Sequence, residues 1–227
     1  MDEIHFSSLP ITNAAGKAVP NHFLHHDRPA PRLAVLFPGL NYTCDMPLLY
    51  YTAQLLLARG ADVLQLHTDY TGPDFQSLSR PEQAQRAAAD AQAAVQEGRS
   101  RRPAAQLVLV GKSIGTLALA HLSAVLPGVP CIWLTPLLRQ PLVSDAIRRA
   151  RGPALLVGGT GDPAFDPQGL AHLAGLPHVQ VFSANGANHS LEIPGEPLHS
   201  LEVLQAMLQA VDRWLPGPGG DRPDPAA

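Results

Sequence analysis

The chain has 227 residues, 45% of them apolar and 15% charged, with a formal net charge of -3, which suits one domain with a substantial core. That near-neutral balance argues against nucleic-acid and membrane-surface partners, and an aromatic content of 5% argues against a base-stacking platform. Cys44 and Cys131 are too few for a disulfide framework and read as reduced, buried thiols.

The chain opens MDEIHFSSLP, with acid before any base and no apolar run. This does not read as a secretory signal. No stretch approaches the ~18 apolar residues of a membrane span, so a cytoplasmic location is expected. Segments 3–9 and 19–26 read as an antiparallel edge pair. His22, His25, His26 and Asp27 cluster in the second segment, but in a strand His25 would oppose His22 and His26, which is poor metal-ligand geometry. No metal and no organic cofactor is expected. LAVLF at 33–37 is a strand ending at Pro38-Gly39. A helix over 47–59 follows and Gly60 stops it. A strand at 61–66 runs into His67, Asp69 and Tyr70, which either shape a pocket or cap the strand. The Ala- and Gln-rich stretch 82–97 predicts a helix. Strand 107–110 (LVLV), helix 114–125, strand 131–134, helix 144–151, strand 154–157, helix 168–173, strand 179–182 and helix 198–214 complete the series. Residues 216–227 (PGPGGDRPDPAA) lack apolar periodicity and read as a disordered tail after a domain over 1–215.

Apolar strands joined by helical crossovers predict an α/β fold: a mostly parallel sheet with helices on both faces. Ligands in such sheets bind beyond the carboxyl ends of the strands. Three of these ends carry chemistry. After LVLV comes Gly111-Lys112-Ser113-Ile114-Gly115, a small-x-Ser-x-small turn between strand and helix. A nucleophile lifted from the sheet by such a turn needs glycines two residues either side. The GKS triplet is not a phosphate loop, because the position five before Gly111 is Gln106 and the residues between form the strand. Lys112 is expected beside the site or in solvent, and a Ser-Lys pair is unnecessary given a histidine. After ALLV comes GGTGDP, whose Asp162 can hold an imidazole in one tautomer, with Asp166 as runner-up. After VQVF comes a loop carrying His189, whose ordinary pKa suits it to take and return a serine proton.

The order Ser113, Asp162, His189 is that of the α/β hydrolases. With GKSIG, GGTGD and NHSLE as its elements, the chain resembles that superfamily over most of 33–214, and is most similar to small bacterial serine hydrolases without a large cap. The resemblance implies a serine esterase-like hydrolase acting on a small-molecule acyl substrate through an acyl-enzyme on Ser113. It implies an oxyanion hole from the backbone N–H of Ile114 and of Leu40, with Asn41 second to Leu40. Proline stands at position 38 where the family often has histidine. Caps of this superfamily insert after strand 131–134, where only about eight residues are left here, within ordinary connection lengths. The site is therefore expected to be open, walled by Tyr42, Leu137, Leu138 and Phe165, with Cys44 nearby in the oxyanion loop. A non-catalytic interaction module on the same fold, and an acyltransferase with the same triad, are the alternatives the sequence leaves open; oligomeric state leaves no trace in it.

Overall fold

The apolar runs lie side by side in one sheet. The computed structural model describes residues 3–103 and 105–215; the segment 216–227, read as a tail, lies outside them. Eight strands follow one another in the sequence: β1 (Ile4–Ser7), β2 (Asn21–His26), β3 (Arg32–Phe37), β4 (Ala61–Leu66), β5 (Gln106–Lys112), β6 (Cys131–Leu134), β7 (Ala154–Gly159) and β8 (Val179–Ala184). Their order across the sheet is β1-β2-β4-β3-β5-β6-β7-β8. The β1–β2 and β2–β4 pairs are antiparallel, and all the others are parallel. The edge hairpin and the parallel body are both as the sequence predicts.

The described residues also form seven helices, six between strands and one after the last: α1 (Pro47–Ala58), α2 (Pro73–Gln76), α3 (Arg80–Arg101), α4 (Gly115–Val125), α5 (Pro141–Arg149), α6 (Pro167–Ala174) and α7 (Pro197–Trp214). The period of two along each strand divides the core into two layers. Leu33, Val35 and Phe37 of β3 join Leu109, Trp133 and Leu156 under α3, α4 and α5. Ala34 and Leu36 join Val63, Val110 and Ile132 under α1 and α7. Burial on both faces explains why the central strands read as unbroken apolar runs.

Helix starts differ from the sequence reading for one reason. Six of the seven helices carry proline at the first or second position, where its missing N–H is not needed and its fixed φ is helical. Helix α5 accordingly starts at Pro141, three residues before the expected 144. Helix α3 starts at 80 instead of 82 because Ser79 and Glu82 form a capping box, with Ser79 N–H and Oγ donating to Glu82 Oε2 at 2.8 and 2.6 Å. The connection from β6 to α5 spans 135–140, and nothing is inserted there.

Candidate active site

Strand β5 runs through Lys112, and at Ser113 the backbone turns to φ +53. This left-handed conformation costs a non-glycine residue about 1–3 kcal/mol and persists only where its surroundings hold it. Here Ser113 N–H donates to Leu134 O at 2.9 Å at the end of β6. Its carbonyl accepts from Thr116 N–H at 2.9 Å and from Thr116 Oγ1 at 2.5 Å. The turn needs glycine on both sides. A Cβ on Gly111 would come within 2.7 Å of Gly115 O and of Leu119 Cδ1, and a Cβ on Gly115 would overlap the Phe37 carbonyl oxygen. The turn at Ser113, β3 and α4 are thus packed at backbone distance.

The imidazole of His189 stands between the other two groups. Its Nδ1 donates to Asp162 Oδ2 at 2.6 Å, and its Nε2 accepts from Ser113 Oγ at 2.8 Å. The carboxylate can only accept, and this fixes the tautomer. Asp162 is buried while His189 is one-third exposed on its side chain. The second carboxylate oxygen of Asp162 accepts from Ala164 N–H at 2.8 Å. Asp166 does something else: it caps α6, accepting from Gly169 N–H at 3.0 Å.

Two features of the acid turn and the histidine loop were not read from the sequence. Gly159 and Gly161 let the two segments touch, since a Cβ on Gly159 would overlap Ala187 O and one on Gly161 would lie 2.5 Å from Gly186 O. Thr160 N–H donates to Ala184 O at 2.9 Å, and Gly161 N–H to Ala187 O at 2.9 Å. Asn188 shapes the loop around the histidine. Its Oδ1 accepts from Ser190 and Glu192 N–H at 2.8 and 3.1 Å. The glycine-rich GGTG run and the asparagine before His189 were the available signals.

The loop after β3 makes a tight turn in which Gly39 N–H donates to Tyr42 O at 2.9 Å. Asn41 occupies its left-handed corner at φ +53, which asparagine tolerates better than most residues. The N–H groups of Leu40 and Ile114 donate to no backbone carbonyl among the described residues.

Several residues expected at the site lie elsewhere than predicted. Lys112 does not reach solvent: it is 1% exposed, with its nitrogen 4.5 Å from the centroid of the Tyr42 ring. Burial pulls its ammonium down to about 8, against the opposing pull of Asp162. Tyr42, expected on an open wall, is buried, and its hydroxyl accepts from Leu48 N–H at 3.0 Å. Burial pushes its phenol up to about 12. Leu138 is also buried, and with Phe165, Thr135 and Asp162 it lines a space of about the size of one water. Leu137 is half-buried and Leu40 is exposed. Cys44 packs, donating to Leu66 O at 3.3 Å, and both cysteines are free and buried, which pushes their thiols up. Asp69 closes a turn onto Thr71, and Tyr70 is buried against Phe75.

The histidine cluster of β2 is dispersed. The His22 ring packs at a tilt between those of Phe6 and His67, while His26 Nδ1 meets Asp62 at 3.1 Å. Among the described residues no three His, Cys, Asp or Glu side chains are grouped to hold a metal ion, and no helix is long and apolar enough to cross a membrane.

Solved structures with this architecture superimpose on nearly the whole chain. A serine hydrolase without a lid from Xanthomonas campestris matches with a TM-score of 0.69 at 20% identity, over 94% of this chain and 96% of that one. The fold is that of the α/β hydrolases. A Pyrococcus furiosus esterase matches at TM-score 0.67 and 15% identity, over 93% and 91% of the two chains. A dienelactone hydrolase from Anabaena variabilis matches at 0.68 and 16%, over 93% and 96%. No protein-family model matches the sequence, and neither does any curated protein. Among the described residues no cap is inserted between β6 and α5, and Ser113 follows the carboxyl end of β5.

Proposed function

We propose that the protein is a serine hydrolase that cleaves an ester or related acyl bond of a small molecule through an acyl-enzyme on Ser113. The observation that carries this reading is the continuous relay from Ser113 Oγ through His189 to Asp162. His189 Nε2 takes the Ser113 proton as Oγ attacks the carbonyl, and Asp162 stabilises the imidazolium that forms. The developing oxyanion would accept from the N–H groups of Ile114 and Leu40, neither of which donates to a backbone carbonyl among the described residues. Such preorganised donors contribute about 3–4 kcal/mol apiece to acyl transfer. The imidazolium then gives its proton to the leaving group. Water, activated by the same Nε2, releases the acyl group and restores Ser113. The esterases among the structural relatives favour an ester over other acyl bonds.

The test is turnover of p-nitrophenyl esters and labelling by a fluorophosphonate. Ser113→Ala should lose labelling altogether and lower kcat by at least ~10³-fold. Full activity in that variant would refute the reading. Profiling esters of increasing acyl length then identifies the preferred substrate.

A further inference from the structure

Lys112 is a buried cation next to the proposed nucleophile, and nothing in the acyl-transfer scheme uses it. Its stem passes close by the oxyanion turn, since a Cβ on Gly39 would lie 2.9 Å from Lys112 Cδ. Its nitrogen faces an aromatic ring instead of a carboxylate, 4.5 Å from the Tyr42 centroid. Tyr42 in turn closes the turn that bears Leu40, through its carbonyl on Gly39 N–H, and is tied to the start of α1 by its hydroxyl on Leu48 N–H. A buried ammonium is costly, and methionine would fill the same space without that cost. A cation against a ring face is attracted to it, more strongly when both are withdrawn from water.

We propose that Lys112 is a positioning residue whose ammonium clamps the Tyr42 ring, fixing the Gly39–Tyr42 turn so that Leu40 N–H stays aimed at the oxyanion. The inference rests on the reading of Ser113 as nucleophile. The clamp works only while Lys112 is protonated. Charged or titratable groups reach it from two other elements: Tyr42 from the loop after β3 and Asp162 from the turn after β7. Glu192 of the histidine loop acts on Tyr42 in turn. With Tyr42 held neutral to about 12 and Lys112 drawn down to about 8, the lysine is the partner that titrates in the alkaline range. Turnover should therefore fall as pH rises through about 8.

The experiment is kcat and KM for p-nitrophenyl butyrate from pH 6 to 10 in the wild type, K112M, Y42L and the double variant, with S113A alongside. K112M should lower kcat at pH 7 by roughly 10- to 100-fold, as a displaced oxyanion donor would, with KM within about threefold. Its profile should lack the alkaline limb. Y42L, which keeps the lysine but removes the ring, should reproduce both changes, and the double variant should be no slower than either single one. Y42L also carries the test should K112M fail to fold. A purely structural lysine would alter melting but leave the limb in place. Wild-type kcat in either variant, an unchanged alkaline limb, or multiplicative losses in the double variant would overturn the clamp. Activity in S113A would instead overturn the nucleophile assignment beneath it.

Discussion

At the scale of single residues, two carboxylates four positions apart have separate work. Asp162 holds the imidazole, whereas Asp166 holds the first turn of α6. Asp162→Asn keeps the shape but offers an amide that can favour the wrong tautomer, so kcat should fall by about 10⁴-fold. Asp166→Ala should lose about 1 kcal/mol of stability, the usual value of an N-cap, with kcat unchanged. Ester turnover and urea denaturation of the two variants separate these outcomes. Lys112 makes a further prediction, of opposite sign for stability and activity. Its folded pKa of about 8 lies below its ordinary 10.5, so between these values the unfolded chain binds more protons than the folded one. Stability contributed by this residue therefore rises with pH across that window, while the proposed clamp is lost. The unfolding free energy of the wild type relative to K112M, from urea denaturation, should improve from pH 7.5 to 9.5 by an amount on the order of 2 kcal/mol. At pH 7, K112M should be no less stable than the wild type, because it is free of the buried charge.

At the scale of elements, the site is an assembly of strand ends, and its precision comes from places where backbones meet without side chains between them. Gly159, at the end of β7, lies against Ala187 in the histidine loop. Gly159→Ala must push these segments apart, and a displacement of about 1 Å at a catalytic pair can cost 10²-fold in rate. Loss of kcat on that scale is expected, whereas Gly16→Ala, at φ +72 in an open turn, should cost about 1 kcal/mol and leave kcat alone. The strand ends were legible because each apolar run stops at small or polar residues, and because serine, aspartate and histidine follow three of them in order. The contact of Lys112 was not legible. The sequence leaves the lysine beside the site or in solvent; β5 continues through 112 before the chain turns at φ +53, and the lysine is carried inward toward Tyr42. Tyr42 was misplaced because its ring packs into the layer with Leu48 and Leu49, which is a tertiary contact. Helix α2, four residues long, is too short to leave a periodic signal.

At the scale of the molecule, chemistry and stability are held at opposite ends of the parallel sheet. Ser113 follows the carboxyl end of β5, whereas Asp62 is the second residue of β4, near its amino end, paired in register with Leu33 of β3. Asp62 is wholly buried. It accepts from His26 N–H at 2.9 Å and pairs with the Nε of Arg102, which caps α3 and lies over the Phe23 ring. One carboxylate thereby joins the antiparallel strand β2, the parallel body and the longest helix. Removing Arg102 leaves that charge buried with His26 as its remaining partner among the described residues, and breaking a buried pair from one side costs about 3–5 kcal/mol. Arg102→Leu should therefore lower the unfolding free energy by that amount, read in urea as a lower midpoint with an unchanged slope if the same surface is exposed on unfolding. Well below its transition, the variant should hydrolyse esters with kcat within about twofold of wild type, since distant sites act independently. K112M should behave in the reverse manner, slow but stable. A large drop in kcat for folded Arg102→Leu would mean that the two ends of the sheet are coupled, and that the strand edge around Ser113 depends on the hairpin docked at the other end.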